Sequence, residues 1–283
     1  MLFDRARSLL VLAVQYVLLV LMLIFLLFPI YWTLITSLKE PGEVQMLPQS
    51  YWPKKITLEN YPQMYRAWEA GRSFANGIIV AGFAALGGTI LGGAAAFGFN
   101  RFEFPGRAPL LGLLTVSVAL PGLTTVGPVF LAYRALGLYD TKTGLIIVDL
   151  SFTVSFGIYF LLAYFQTIPR ELDDAAAIDG CNWLGTLWRV IFPIAMPGMV
   201  TTFLINFIGV WNDFIFANIL TASAAAKTLT VRLLEMPVPQ SIFVQPYHLM
   251  AVGGIMCLAP VAVIVLIGQR RIVEGIVAGA IKG

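Results

Sequence analysis

The sequence predicts an all-α membrane protein with six transmembrane helices, and three observations carry that prediction. Hydrophobic residues make up 59% of the 283 and charged residues only 12%, about half the charged share of an ordinary soluble domain. Six apolar stretches each reach the roughly 20 residues that cross about 30 Å of hydrocarbon. Lipid offers backbone groups no partner outside their own segment, so each stretch must be a helix, and together they form a single domain over residues 1–283.

The first stretch, Ser8 to Thr33, follows Arg5 and Arg7. It is longer than the core of a cleaved signal and lacks a small-residue cleavage site, so it reads as a retained helix. The second, Phe74 to Phe99, carries Gly77, Gly82, Gly87, Gly88, Gly92, Gly93 and Gly98. Its Gly88 and Gly92 form a GxxxG pair that suits close helix packing. In the third, Pro109 to Tyr133, Pro121 and Pro128 each remove a backbone donor and are expected to bend or break the helix, as a plain kink or as the wall of a polar cavity. The fourth runs from Gly144 to Phe165 and holds Asp149, and the fifth spans Gly198 to Thr221. The sixth, Tyr247 to Gln269, holds His248 and Cys257. An isolated histidine of this kind is a structural or interfacial group. Cys181 and Cys257 have no disulfide or metal-ligand spacing.

The net charge of +3 is spread along the chain, without the basic stripe that nucleic acid requires. With six spans both termini lie on one side. Arg5, Arg7, Arg101, Arg107, Arg170, Arg189, Arg270, Arg271 and Lys282 would share that side, and the other half of the 18 cations the opposite one, so positive charge leaves the orientation open.

Between the fourth and fifth stretches the chain reads TIPRELDDAAAIDGCNWLGTLWRVIFPIAMP, from Thr167 to Pro197. Pro169 is placed to open a short helix, with Glu171, Asp173 and Asp174 in the first turns, where the helix dipole favours negative charge. Asp179 and Gly180 supply a left-handed stop. Asn182 can cap a second helix through Trp183, Leu184, Leu187 and Trp188 that Pro193 is expected to end. Exposed Trp183, Leu184, Leu187 and Trp188 would make this knuckle a protein-docking surface or an amphipathic pair resting on lipid headgroups.

The same loop resembles the coupling motif of binding-protein-dependent ABC importer permeases: Glu-Ala-Ala, then Gly after three residues, then Ile-x-Leu-Pro after nine more. Asp174, Ala175 and Ala176 stand for Glu-Ala-Ala, Gly180 for the Gly, and Val190, Phe192 and Pro193 for the last element, without a gap. Asp for Glu, Val for Ile, Phe for Leu and Cys181 in place of a common Ala are the departures. FIGVWNDFIF (Phe207 to Phe216), RFEFPGR (Arg101 to Arg107) and the C-terminal QRRIVEGIVAGAIKG are similar to the maltose-type, carbohydrate branch.

The resemblance implies a multi-pass protein of the bacterial cytoplasmic (inner) membrane with both termini cytoplasmic. It implies four partners besides lipid: a second homologous permease, a dimer of nucleotide-binding ATPase subunits that use ATP and Mg, and an external substrate-binding protein. It assigns ATPase coupling to Asp173, Asp174, Ala175, Ala176, Asp179, Gly180, Trp183, Leu184, Leu187 and Pro193, and an ATPase contact to the tail residues Ala278, Gly279, Lys282 and Gly283. The cargo implied is a sugar or oligosaccharide, with glycerol phosphates and polyols as alternatives. The chain has no phosphate-cradling GxxxxGK[ST] sequence of its own, so it is not expected to hydrolyse ATP.

On the fifth stretch, Asn206, Gly209 and Asp213 recur at three and seven residues and so share a helix face. An acid in mid-membrane costs about 2.5–3.5 kcal/mol on insertion scales, so Asp213 should face a wet cavity or the bundle. With Trp211 as an apolar platform and Asn212 beside it, this face would line a cargo pathway; alternatively Asn206 and Asp213 clamp two permease subunits together. Asp149 is a weaker candidate of the same kind. A stand-alone ion-coupled carrier is the rival of another class, but no repeat relates the first three spans to the last three.

Overall fold

The computed structural model describes residues 2–67, 69–119, 122–235 and 246–280, and among them every regular element is helical. The helices are α1 (Leu2–Ser37), α2 (Asn60–Ala67), α3 (Ala70–Arg101), α4 (Arg107–Ala119), α5 (Gly122–Ala135), α6 (Lys142–Phe165) and α7 (Glu171–Ile178). They continue as α8 (Trp183–Thr186), α9 (Phe192–Ile194), α10 (Met196–Trp211), α11 (Ile215–Leu220), α12 (Leu229–Leu234) and α13 (Tyr247–Ala280). Four are long and apolar enough to cross a membrane: α1, α3, α6 and α13, with a fifth candidate formed by the bent run from Trp183 to Trp211.

The fifth apolar stretch is thus not a single helix. The third stretch is described as α4 and α5 on either side of residues 120–121, which lie outside the described residues. Pro121 lies outside the described residues, and Pro128, expected to bend or break its helix, sits inside α5 without ending it. The fifth stretch stops at Trp211 and restarts at Ile215, because the Asp213 carboxylate takes the N–H groups of Phe216 (3.4 Å) and Ala217 (3.0 Å) and so starts a new helix.

The chain forms two compact units. Residues Met1–Trp68 with Met236–Met256 make the first. Here the side chains of α1 from residue 11 to residue 29 are exposed throughout, with Phe25 78% accessible, which suits contact with lipid or protein. The polar segment after α1 is tightly fastened. Lys39 is buried over the Trp32 ring with its Nζ on Ser50 O, and Asn60 Nδ2 donates to the carbonyls of Ser37 and Lys39 at 2.8 Å.

Glu69–Glu235 with Cys257–Gly283 make the second unit, organised by α3 against α6. Gly88 and Gly92 on α3 lie directly on Thr153 and Gly157 of α6. A Cβ on Gly92 would stand 2.9 Å from the Gly157 backbone, one on Gly157 2.7 Å from Gly88 O, and one on Gly88 would overlap Thr153. The GxxxG pair therefore meets a second small-xxx-small pair, which lets the backbones approach closely where lipid supplies no hydrophobic drive for helix association. Helix α10 packs across both. Its Trp211 and Phe207 fill a core with Ala81 and Ala85, and the Trp211 ring lies against Gly77.

Gly92→Ala places a methyl against backbone that cannot swing away, so it should destabilise by about 1–3 kcal/mol. Gly82→Ala, where a Cβ meets nothing within 4 Å, should leave the melting temperature in detergent unchanged or slightly raised. Equal melting temperatures for the two variants would remove the close contact from its organising role.

Candidate functional site

Two features carry chemistry, a knuckle that ends the long helices and a cavity between them. The knuckle starts at α7. Gly180, in the left-handed region at φ +81°, ends that helix with Cys181 N donating to Ala176 O (2.9 Å) and Gly180 N to Ala177 O (3.0 Å), the two bonds of a Schellman stop. Asn182 Oδ1 then accepts from Gly185 N at 2.8 Å and caps α8. Pro193 does not end this second helix as expected. The chain passes through a π turn at Leu187–Ile191 that runs into α9, where Pro193 occupies a first-turn position that needs no N–H. The stop comes at buried Ala195, where the axis turns by 80° into α10.

Its two faces differ. Ile178 (87% exposed), Trp183, Leu184 and Trp188 stand outward, with Asp174, Ala175, Asp179 and Gly180 exposed beside them. Leu187, expected on that outer surface, is instead buried with Ile191, Phe192, Phe97, Leu161 and Phe165. Leu187 is where the π turn begins, and from there the chain faces the core that α3 and α6 supply.

Asp173 is also buried, and it meets Arg101 at the end of α3 with Nε–Oδ2 2.7 Å. The approach is off the hydrogen-bond line: neither Arg101 Nε nor either carboxylate oxygen gains a directed bond. Burial pushes the Asp173 carboxyl above its ordinary range, against the opposite pull of Arg101. This pair therefore fixes position more than it stabilises. Three more contacts reinforce it: Arg101 donates to Ile168 O (3.3 Å), Arg170 to Asn100 O (3.2 Å), and the Trp183 ring meets Phe102 edge-on at 4.8 Å.

The cavity, about 440 Å³, is lined by Asp149, Phe152, Thr153 and Phe156 of α6, by Asn206 and Gly209 of α10, by Asp213, and by Phe216 of α11 among others. The face formed by Asn206, Gly209 and Asp213 thus opens into it as the three- and seven-residue spacing predicts. Asn206 Nδ2 donates to Thr153 O (3.3 Å), and Thr153 Oγ1 to Ala84 O (3.0 Å), so α10, α6 and α3 are tied together at the cavity wall.

Trp211 is elsewhere. It is buried on the far side of α10, stacked on Phe207, with its indole N–H on Cys257 O at 2.9 Å. Asn212 is exposed and bonds back to Ile208 O. The aromatic rings on the cavity wall are those of Phe152, Phe156 and Phe216 instead. The first two are legible in hindsight, since they follow Asp149 at three and seven residues on one helix face. At the C-terminus, Ala278 and Gly279 belong to the last turns of α13, and Lys282 and Gly283 lie outside the described residues.

The model of a family described as "binding-protein-dependent transport system inner membrane component" matches residues 88–277. This is more than half the chain, and the protein belongs to that family: it is a multi-pass permease subunit of an ABC importer. Over 259 residues it is 36% identical to the trehalose transport system permease protein SugB of Mycobacterium tuberculosis, covering 92% of this chain and 93% of the relative. It is 31% identical over 257 residues to the sulfoquinovosyl glycerol transport system permease protein SmoH of Agrobacterium fabrum, covering 91% and 89%. Among solved structures, a bacterial ABC transporter involved in the import of the acidic polysaccharide alginate shares the fold, with a TM-score of 0.79 at 24% identity over 91% of this chain and 94% of that one.

Removing one member of the buried pair by Asp173→Ala leaves the Arg101 guanidinium uncompensated, and breaking such a pair costs about 3–5 kcal/mol. The variant should melt well below the parent. A double replacement, Arg101→Met with Asp173→Leu, should recover most of that loss; additive losses in the double variant would contradict the positional reading.

Proposed function

We propose that this subunit forms half of the translocation pathway of an importer for a sugar or oligosaccharide, driven by ATP that a partner ATPase dimer hydrolyses with Mg. A second homologous permease supplies the other half, and an external binding protein delivers the cargo. In this reading residues 1–283 are one permease domain with six spans: α1, α3, α4 with α5, α6, α10 with α11, and α13. Both termini and the knuckle face the cytoplasm. The sugar assignment draws on the trehalose system of the most similar relative described above and on the Phe-lined cavity, since aromatic faces and a few polar groups suit a sugar ring.

One observation carries the mechanism: the knuckle presents Ile178, Trp183, Leu184 and Trp188 outward while its base is locked to α3 by Arg101 and Asp173. A surface that apolar needs a cover, and the ATPase subunit is the occupant that family membership favours over lipid. ATP-driven closure of the ATPase dimer would carry two such knuckles toward each other. Because α3 also holds α6 and α10 at the cavity wall, the displacement would reach the cavity through rigid helices, not through loops. The α13 end and the residues after it are a second proposed ATPase contact.

Ile178→Ala with Leu184→Ala removes two anchors from the outer face without touching the buried base. The permease should fold and reach the membrane as before, while its retention of the ATPase subunit falls at least tenfold, in line with about 1–2 kcal/mol for a central apolar anchor. Co-purification with tagged ATPase reads the result. Undiminished retention, or crosslinks from position 184 only to lipid, would defeat the docking assignment.

A further inference from the structure

The end of α1 fixes the depth of the loop that follows it. No charged residue falls between Arg7 and Lys39, and Leu23 stands midway between them. Half of a hydrocarbon layer about 30 Å thick takes about ten residues of helix, so the acyl chains end near Thr33 and the headgroups begin there. Tyr31 and Trp32 stand at that boundary, on the side opposite the N-terminus. The loop folds back onto these two residues: Tyr31 Oη donates to Tyr51 O, and the rings of Trp32 and Tyr51 meet edge-on with centroids 5.8 Å apart. On either side of this contact the chain is fastened. The buried Glu43 carboxylate accepts from Ser50 Oγ (2.6 Å) and from Lys54 N (2.9 Å), and Lys39 reaches Ser50 O. Yet Tyr51 is 70% exposed and Trp52 66%, with Lys54 exposed beside them. Two large rings are thus held at the edge of the hydrocarbon with most of their surface facing away from their own subunit.

We propose that Tyr51 and Trp52 are an interfacial anchor whose partner is the phospholipid headgroup layer of the leaflet opposite the N-terminus, and that this anchor sets the depth of α1. Tyr and Trp each join an apolar ring to a polar O–H or N–H, which suits the layer where acyl chains give way to headgroups. Lys54 can extend its stem along that layer and place its ammonium among the phosphates. Depth favours lipid over a protein arriving from the water side, because the contact with Tyr31 and Trp32 holds the two rings at the acyl boundary. Helix α1 also needs such a device. Its apolar run, Val11–Ser37, has 27 residues, more than the roughly 20 that cross the hydrocarbon, and its side chains from residue 11 to residue 29 are exposed. A run of that length with no neighbour along it could sit at several depths, and flanking Trp, Tyr, Lys and Arg are what select one. The anchor depends on neither the cavity nor the knuckle.

A nitroxide attached at Trp52→Cys, with Cys181→Ala and Cys257→Ala, reads the depth in the assembled transporter with its partner subunits in phospholipid vesicles. Since Trp52 is mostly exposed, its replacement removes little packing. Collisions with oxygen, which concentrates among acyl chains, are compared with collisions with a nickel chelate, which stays in water. Lipids labelled at the headgroup and along the acyl chain calibrate the scale. The label should lie within about 5–10 Å of the boundary between headgroups and acyl chains. A label as open to the nickel chelate as a free nitroxide in buffer would place residue 52 in water, and a label shielded from both reagents would place it against protein; either result overturns the anchor. A second label at Val17→Cys, an exposed position on α1, reads the depth of the helix itself. Tyr51→Ser with Trp52→Ser should shift that label by roughly 3 Å, about half a helical turn, while Leu47→Ser, on the same loop and 87% exposed, should leave it in place. An unmoved label in the double variant overturns the control of depth. The measurement at position 52 leaves Tyr51 intact, so it tests the anchor even where the double variant fails to assemble.

Discussion

The close approach of α3 to α6 at Gly88, Gly92 and Gly157 is the constraint on which the second unit depends. In lipid, helices gain little by hiding apolar side chains from a medium that is equally apolar, so van der Waals packing and interhelical hydrogen bonds must hold them. Removing the side chains at this crossing does both. Backbones come near enough for Thr153 Oγ1 to reach Ala84 O on the opposite helix, and the Thr153 carbonyl is left for Asn206 of α10. A bulkier pair here would separate the helices, and those two bonds would be lost with the packing.

Helix α3 also works as a strut, because one end of it carries the knuckle and its middle carries the cavity wall. Asn100, Arg101 and Phe102 take hold of Ile168, Arg170, Asp173 and Trp183 over a few ångströms. Burying a charge pair gives a poor return in stability, since desolvation opposes the Coulomb gain. What it supplies is a seat: Arg101 is held by Asn100 Oδ1 and Ile168 O and faces the Asp173 carboxylate, so α7 cannot slide or rotate without stranding that acid. An apolar contact alone would tolerate such slippage. Below this seat the π turn and the 80° corner at Ala195 bring the knuckle's buried side onto Phe97, Leu161 and Phe165, so the exposed side is stiff as well as apolar.

The knuckle was legible in the sequence almost residue by residue because its signals are local. Gly180 and Asn182 act within a few residues of themselves, and a left-handed stop or a cap reads the same in any fold. The apolar stretches were legible for a similar reason, since length and hydropathy are properties of a segment. Failures lie where the deciding atom is distant. Leu187 turns inward because it packs on Phe97, Leu161 and Phe165, residues of two other helices that no local pattern around Trp183 contains. Trp211 was assigned to the cavity by nearness in sequence to Asn206 and Asp213, but its indole N–H found Cys257 O some 46 residues later. Arg101 could not be singled out at all, for its role exists only once Asp173 is folded beside it.

The break at Asp213 shows how one residue can both start a helix and find partners for its own carboxyl. A carboxylate in the middle of an unbroken helix would have every nearby N–H already taken, and in an apolar bundle it would be an expensive passenger. Ending α10 at Trp211 and starting α11 at Ile215 frees two N–H groups, and the acid takes both. The interruption is therefore what makes the charge tolerable, and the charge is what makes the interruption tolerable, since broken backbone at membrane depth is stable only where its polar groups are satisfied. Asp149 has no such arrangement, because it sits within the continuous α6, whose own ladder leaves it nothing to accept. Of the two acids on the cavity wall, one is completed by the fold, and the carboxyl of the other takes no hydrogen bond among the described residues.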